Sequence, residues 1–289
     1  MKHAVDTGLT YVARYFLIFP TLKRRFSSSL AQIDSIVKNH FFLLFLPVFL
    51  FFWENVGAQS IEDAVTIVRK ADERARGKTS IAEMTITTVR PKWTRSMDMK
   101  AWSKGNELAL ILVKSPAKDK GTAFLKRKKE VWNWLPSLER TIKLPPSMMS
   151  QSWMGTDFTN DDLVKESSIV EDYEHKLLGS EKQGDLDCHK IELIPKPEAA
   201  VVWGKIIAWI DKKDYIQLRT EFYDENGELS QTMLGSDLKM LGGKLLPSRI
   251  EMTPAGKKGQ KTEIVYKSLE FDKPLADSFF TTENMTKVK

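Results

Sequence analysis

Cys188 and His189 stand side by side, and His175 lies a short way upstream. A thiol beside an imidazole could serve as a nucleophile with its base, or as two metal ligands. The run Leu186 to Ile194 reads as a strand, however, where neighbours point to opposite faces, and no metal-ligand spacing accompanies the pair. Asp157, Asp161 and Asp162 could hold a cation, but they lack the alternating ligands and the glycine of a calcium loop. Asn160-Asp161-Asp162-Leu163 reads instead as the cap and acidic first turn of a short helix. There is no nucleophile elbow, no phosphate-cradling glycine loop and no dinucleotide fingerprint. The sequence therefore predicts no catalytic residue, no metal and no cofactor, and an esterase or other hydrolase ranks low.

A second set of residues suggests apolar binding. Gln151 to Leu163, behind Pro145-Pro146, has neither the period of a strand nor that of a helix, yet it carries Trp153, Met154 and Phe158 beside Met148 and Met149. Loops run over the surface and are normally polar. This one must cover something apolar, or be covered itself, and it is read as a flap with a short helix. Met97, Met99, Trp102, Trp132 and Trp134, on strand-like segments before it, complete the candidate ligand-binding set. Methionine suits varied acyl chains, being unbranched and polarizable. Burying each CH₂ is worth roughly 0.8 kcal/mol, so a 14-carbon chain gains about 10 kcal/mol before ordering costs. Opening a flap would use part of that gain and keep the cargo transferable.

The elements that position these residues alternate along the chain. Ser60-Ile61-Glu62-Asp63 reads as a capping box, with Val65, Val68 and Ala71 at helical spacing and Gly77 as the stop. Ala82, Met84 and Ile86 then alternate with Glu83, Thr85 and Thr87, and Met97, Met99 and Ala101 alternate with Asp98, Lys100 and Trp102. Short runs follow at 108–113, 121–126, 131–135 and 140–144, and again after the flap at 173–178, 186–194, 205–210, 215–223, 238–241, 244–252 and 262–269, with the hairpin signal Asn226-Gly227 between. This is a mainly β, α+β chain of about ten strands. Antiparallel strands in that number curl or close, giving an incomplete barrel with an N-terminal helix and a mid-chain flap as lid.

Residues 1–58 form a leader. Phe41 to Trp53 is wholly apolar but short of the roughly 20 residues that span a bilayer, and Val56-Gly57-Ala58 places small residues before Gln59. The expectation is a signal peptide cleaved after Ala58, a periplasmic protein, and a single domain over 59–289. Residues 1–36 are unusual for such a leader, and a GTG start at Val37 would remove them. The leader's six Lys/Arg and three Asp/Glu account for half of the net charge of +6, so about +3 remains for the domain. That balance argues against nucleic acid. One cysteine allows no internal disulfide. Lys126-Arg127-Lys128-Lys129 reads as a solvated basic turn.

Five segments occur in an order that resembles a known family. They are Glu83-Met84-Thr85 with Arg90-Pro91, Lys100-Ala101-Trp102-Ser103-Lys104-Gly105, Lys120-Gly121-Thr122-Ala123-Phe124-Leu125, Trp132-Asn133-Trp134-Leu135-Pro136 with Arg140, and Ser152 to Phe158 with Asp162-Leu163. From about Ser60 to the C-terminus the chain resembles the LolA-like outer membrane lipoprotein-sorting proteins of Gram-negative bacteria. Thr141 to Pro146 departs from the more basic, serine-rich run expected there. The resemblance implies an incomplete antiparallel barrel with a helical lid, and a monomeric periplasmic carrier of lipid or lipoprotein acyl chains toward the outer membrane. A resistance-nodulation-division exporter is an implied partner, and an accessory subunit of such an exporter is the alternative. A long apolar cavity under the flap would favour the carrier, and side chains plugging the barrel would favour the accessory subunit.

Overall fold

The computed structural model describes residues 62–164 and 168–289. The expected signal peptide, its expected cleavage point and the suggested start at Val37 lie outside them.

Helix α1 (Ala64–Arg76) opens the described chain. Its cap is Asp63, whose carboxylate accepts from the Thr66 N–H at 2.7 Å. Asp63 is thus the cap itself, not the closing residue of a capping box. Ala64, Ile67, Val68 and Ala71 form the buried stripe. Gly77 ends the helix at φ 65°, where a Cβ would meet the Phe271 ring at 2.8 Å.

Thirteen strands follow: β1 (Thr79–Arg90), β2 (Trp93–Lys104), β3 (Leu108–Ser115), β4 (Ala123–Arg127), β5 (Glu130–Leu135), β6 (Arg140–Leu144), β7 (Tyr173–Gln183), β8 (Leu186–Pro195), β9 (Lys205–Asp211), β10 (Gln217–Tyr223), β11 (Leu229–Leu241), β12 (Lys244–Pro254) and β13 (Lys261–Phe271). The expectation of about ten was low. Every short apolar run pairs, and β11 begins nine residues earlier than its sequence pattern suggests, because Ser230 to Asp237 lacks a clean alternation. Among the described residues these thirteen strands lie in one antiparallel sheet ordered β6-β5-β4-β3-β2-β1-β13-β12-β11-β10-β9-β8-β7. The first and last strands pair in the middle, Val89 opposite Lys261. The two free edges, β6 and β7, are consecutive in sequence. The segment between them therefore leaves one edge and enters the other, and that segment is the flap.

The two faces carry separate cores. On one face Ala82, Met84, Ile86, Met97, Met99, Ile111, Val113, Phe124, Val131, Leu144, Ile191, Leu193, Ile206, Ala208 and Ile264 form a single cluster with the stripe of α1 and with Met149, Trp153 and Phe158 of the flap. Strands from both halves contribute, so this face wraps around the helix and flap. On the other face Trp102, Leu110, Leu112, Ala123 and Leu125 lie under a C-terminal strap, where Phe280 and Met285 are buried. The strap includes the short helix α3 (Thr282–Met285), capped by Thr281. A third cluster gathers Cys188, Trp209, Ile216 and Leu218.

Candidate functional site

The flap is a small hydrogen-bonded unit of its own. A 3₁₀ turn covers Pro146–Met148, another Trp153–Gly155, and helix α2 spans Asn160–Val164. Trp153 N–H donates to Phe158 O at 2.8 Å, Asn160 N–H to Gln151 O at 2.9 Å and Asp161 N–H to Met149 O at 3.1 Å. Ser152 and Thr159 form an isolated antiparallel bridge. The cap of α2 is Thr159 rather than Asn160: Thr159 N–H donates to Asp162 Oδ2 at 2.8 Å and Asp162 N–H to Thr159 Oγ1 at 3.0 Å, a reciprocal box. Asn160 instead donates through its side chain to Met148 O at 2.8 Å, tying the helix to the first turn.

Trp153 is the centre of this unit and is 0% exposed. Its ring lies 5.2 Å from that of Phe124 on β4, tilted by 57°. The chain reverses immediately after it. Met154 has φ 47° and ψ 30°, and Gly155 has φ 77°. The left-handed region is costly for a methionine, and a local framework must hold it there.

Two arginines supply that framework. Arg90, the last residue of β1, forms a fork with the Asp157 carboxylate, Nη1 to Oδ2 at 2.9 Å and Nη2 to Oδ1 at 3.0 Å, and reaches Gly155 O at 3.2 Å. The pair is largely out of water, at 14% and 8% exposure. Arg95 on β2 donates to Met154 O. Thr262 on β13 completes the grip, donating to Asp157 Oδ2 at 2.7 Å and accepting from Asp157 N–H at 2.9 Å. Three strands from the middle of the sheet thus hold residues 154–157 through charge and hydrogen bonds, not through a strand ladder.

The interior beneath is imperfectly satisfied. The Trp153 indole N–H, Thr88 Oγ1, Arg95 Nε and Asn133 Oδ1 are buried and have no hydrogen-bond partner among the described residues. Each such group costs about 1–3 kcal/mol. Burial also pushes the Asp162 carboxyl up to about 6, the neighbouring Asp161 adding to the rise while the Thr159 hydrogen bonds and the Trp203 indole oppose it. Tyr173, fully buried nearby, is raised by the same desolvation.

The structure divides the ten candidate residues. Met97, Met99, Met149, Trp153 and Phe158 are buried together in the wrapped core, with Met148 and Met154 packed against it. Trp102, Trp132 and Trp134 belong to the opposite face, under the C-terminal strap. Alternation along the strands predicts that separation, since Trp102 has opposite parity to Met97 and Met99. Sequence reasoning missed Arg90, Arg95, Asp157 and Thr262 as a group because they come from three distant segments, the β1–β2 hairpin, the flap and β13. It also missed that Lys126 is buried and that Arg127 donates to Phe280 O at 2.9 Å, which leaves only Lys128 and Lys129 solvated in the basic turn. His175 donates through Nε2 to Ile169 O at 2.7 Å, and burial lowers its pKa. Among the described residues no three His, Cys, Asp or Glu side chains come together as metal ligands.

A wrapped antiparallel sheet with a helix and flap in its interior is the architecture of the LolA superfamily, and comparison with solved structures bears this out. The chain is 26% identical to a domain from Vibrio parahaemolyticus described as an outer membrane lipoprotein-sorting protein domain, covering 77% of this chain and 98% of that one at a TM-score of 0.70. A LolA superfamily protein from Nitrosomonas europaea is 26% identical, with 77% and 99% covered and a TM-score of 0.67. A DUF1329 family protein from Desulfovibrio piger, 22% identical with 77% and 97% covered, shares the fold at a TM-score of 0.70. A family model described only as an uncharacterized protein matches residues 105–287, more than half of the chain, and the chain belongs to that family. No curated protein matches it in sequence.

Proposed function

We propose that the protein is a periplasmic, non-enzymatic carrier that takes an acyl chain of a lipid or lipoprotein into the wrapped face of the sheet, for transfer toward the outer membrane. A packed interior by itself favours the accessory subunit; the observation that carries the carrier reading is the way the plug is fastened. Trp153 fills the interior from a segment that is fastened by a polar latch and bridges the two free sheet edges. An acyl chain would take the place of Trp153, Met149 and Phe158 against Met97, Met99 and Phe124. The orphaned indole N–H and the left-handed Met154 lower the cost of displacing the plug. The fold of the lipoprotein-sorting and LolA relatives supports the same class. In this reading the leader is removed after Ala58 and the domain works as a monomer.

A second reading has its own observation. The interior is packed by α1 and by Met149, Trp153 and Phe158, as a self-filled accessory subunit of a resistance-nodulation-division exporter would be. Native mass spectrometry with lipid extraction, on the form beginning at Gln59 purified from the periplasm, separates the two. The carrier reading expects co-purifying lipid or acylated peptide, lost in Trp153→Asp and Met149→Asp. A clean protein mass with no uptake from offered lipids would rule it out in favour of the accessory subunit.

A further inference from the structure

The β1–β2 hairpin and the β12–β13 hairpin end side by side, because β1 pairs with β13. Their tips read Arg90-Pro91-Lys92-Trp93-Thr94-Arg95 and Ala255-Gly256-Lys257-Lys258-Gly259-Gln260-Lys261, without an acidic residue in either. Asp157 meets Arg90 and Glu251 meets Lys261. Lys92, Lys257 and Lys258 are exposed and have no ion pair among the described residues. Trp93, next to Lys92 at the start of β2, is 48% exposed, its ring 5.8 Å from the Arg90 guanidinium. The tips thus present an exposed aromatic ring together with uncompensated positive charge.

We propose that these two tips dock the protein on an anionic phospholipid bilayer, with Trp93 seated in the headgroup layer and Lys92, Lys257 and Lys258 over the lipid phosphates. An indole has an apolar body and a polar N–H, which suits the boundary between headgroup and hydrocarbon. The negative potential of an anionic membrane surface attracts lysines, whereas protein–protein interfaces are depleted in lysine. Both elements are projecting turns, and a flat bilayer accepts projections without a matching pocket. Docking in this orientation also brings the Arg90–Asp157 latch to the bilayer. The inference stands apart from the carrier reading, since a protein that carries nothing can dock and a carrier can work without docking.

The three clusters lie wholly within residues 64–288, so the form beginning at Gln59 keeps the full core and lacks the apolar leader. This form should float with vesicles of phosphatidylcholine and phosphatidylglycerol, lose that binding in high salt, and leave vesicles of phosphatidylcholine alone unbound. Each lysine at such a surface changes partitioning about fivefold, so K257Q/K258Q should bind about 30-fold more weakly with an unchanged melting temperature. Lipids with brominated acyl chains should quench a fluorescence component that disappears in Trp93→Phe. Equal binding to neutral vesicles, or binding unaffected by K257Q/K258Q, would overturn the proposal. So would failure to bind any vesicle, which would assign the tips to an acidic protein surface.

Discussion

Each face of the sheet is covered by a segment rich in aromatic residues and methionine, and the two covers are fastened differently. On the outer face the C-terminal strap sets Phe279 5.4 Å from Trp102 and 5.3 Å from Phe280. Its polar groups are met at ordinary backbone angles: Thr281 caps α3, Asn284 Nδ2 donates to Phe279 O at 2.7 Å, and Arg127 of β4 donates to Phe280 O at 2.9 Å. Inside, the flap covers an apolar face as well, yet its grip is a two-arginine latch, its backbone is left-handed at Met154, and its central indole is unpaired. Composition alone does not separate a permanent cover from a releasable one. The manner of fastening does.

The largest effects should come from the outer aromatics. Trp102→Ala should cost about 3–5 kcal/mol of global stability in denaturant unfolding, with the lipid content of the folded fraction unchanged. A loss of lipid in that variant would erase the contrast between the faces. Arg90→Ala comes next. It leaves the Asp157 carboxylate largely buried without its partner, a defect of about 3–5 kcal/mol. Hydrogen exchange should report that defect as faster opening of residues 153–162, with the β-sheet amides little changed. Uniformly faster exchange would show that the latch is part of the global core.

The pH dependence is of intermediate size. The Asp162 carboxyl is raised from 3.8 to about 6, so the folded flap holds a proton that the unfolded chain has already released in that interval. The flap is therefore firmest below about pH 4 and loosens as pH rises to about 6, by at most about 3 kcal/mol. Flap exchange rates measured across that window should show the trend, and Asp162→Asn should abolish it. The smallest effect is expected from Trp153→Phe, which removes the orphaned N–H at the cost of some volume and should change stability by about 1 kcal/mol or less. A loss of several kcal/mol would mean that the indole N–H has a partner in solution.

Much of the fold was legible because alternation survives burial. Met84, Met97 and Met99 read as one face and lie on one face. The flap stood out because apolar residues occurred without a period. Asn226-Gly227 marked the β10–β11 turn, where Gly227 takes φ 81°. The strap did not stand out, since Phe279-Phe280 is too short a run to announce what it covers. The latch was illegible for a different reason. Arg90, Asp157 and Thr262 are brought together only by the pairing of β1 with β13 and the return of the flap, which no local pattern encodes. The inclusion of Trp102, Trp132 and Trp134 with the flap residues followed residue type and ignored strand parity.

The central claim is that the flap opens while the sheet stays folded. Native-state hydrogen exchange on the form beginning at Gln59 tests it directly, comparing the amides of Trp153, Thr156, Asn160 and Asp161 with those of Met97, Met99 and Ile264. The account predicts that the flap amides exchange through a local opening well below the global unfolding free energy, and that Arg90→Ala speeds them selectively. Flap amides that exchange only with the sheet, in wild type and variant alike, would contradict it.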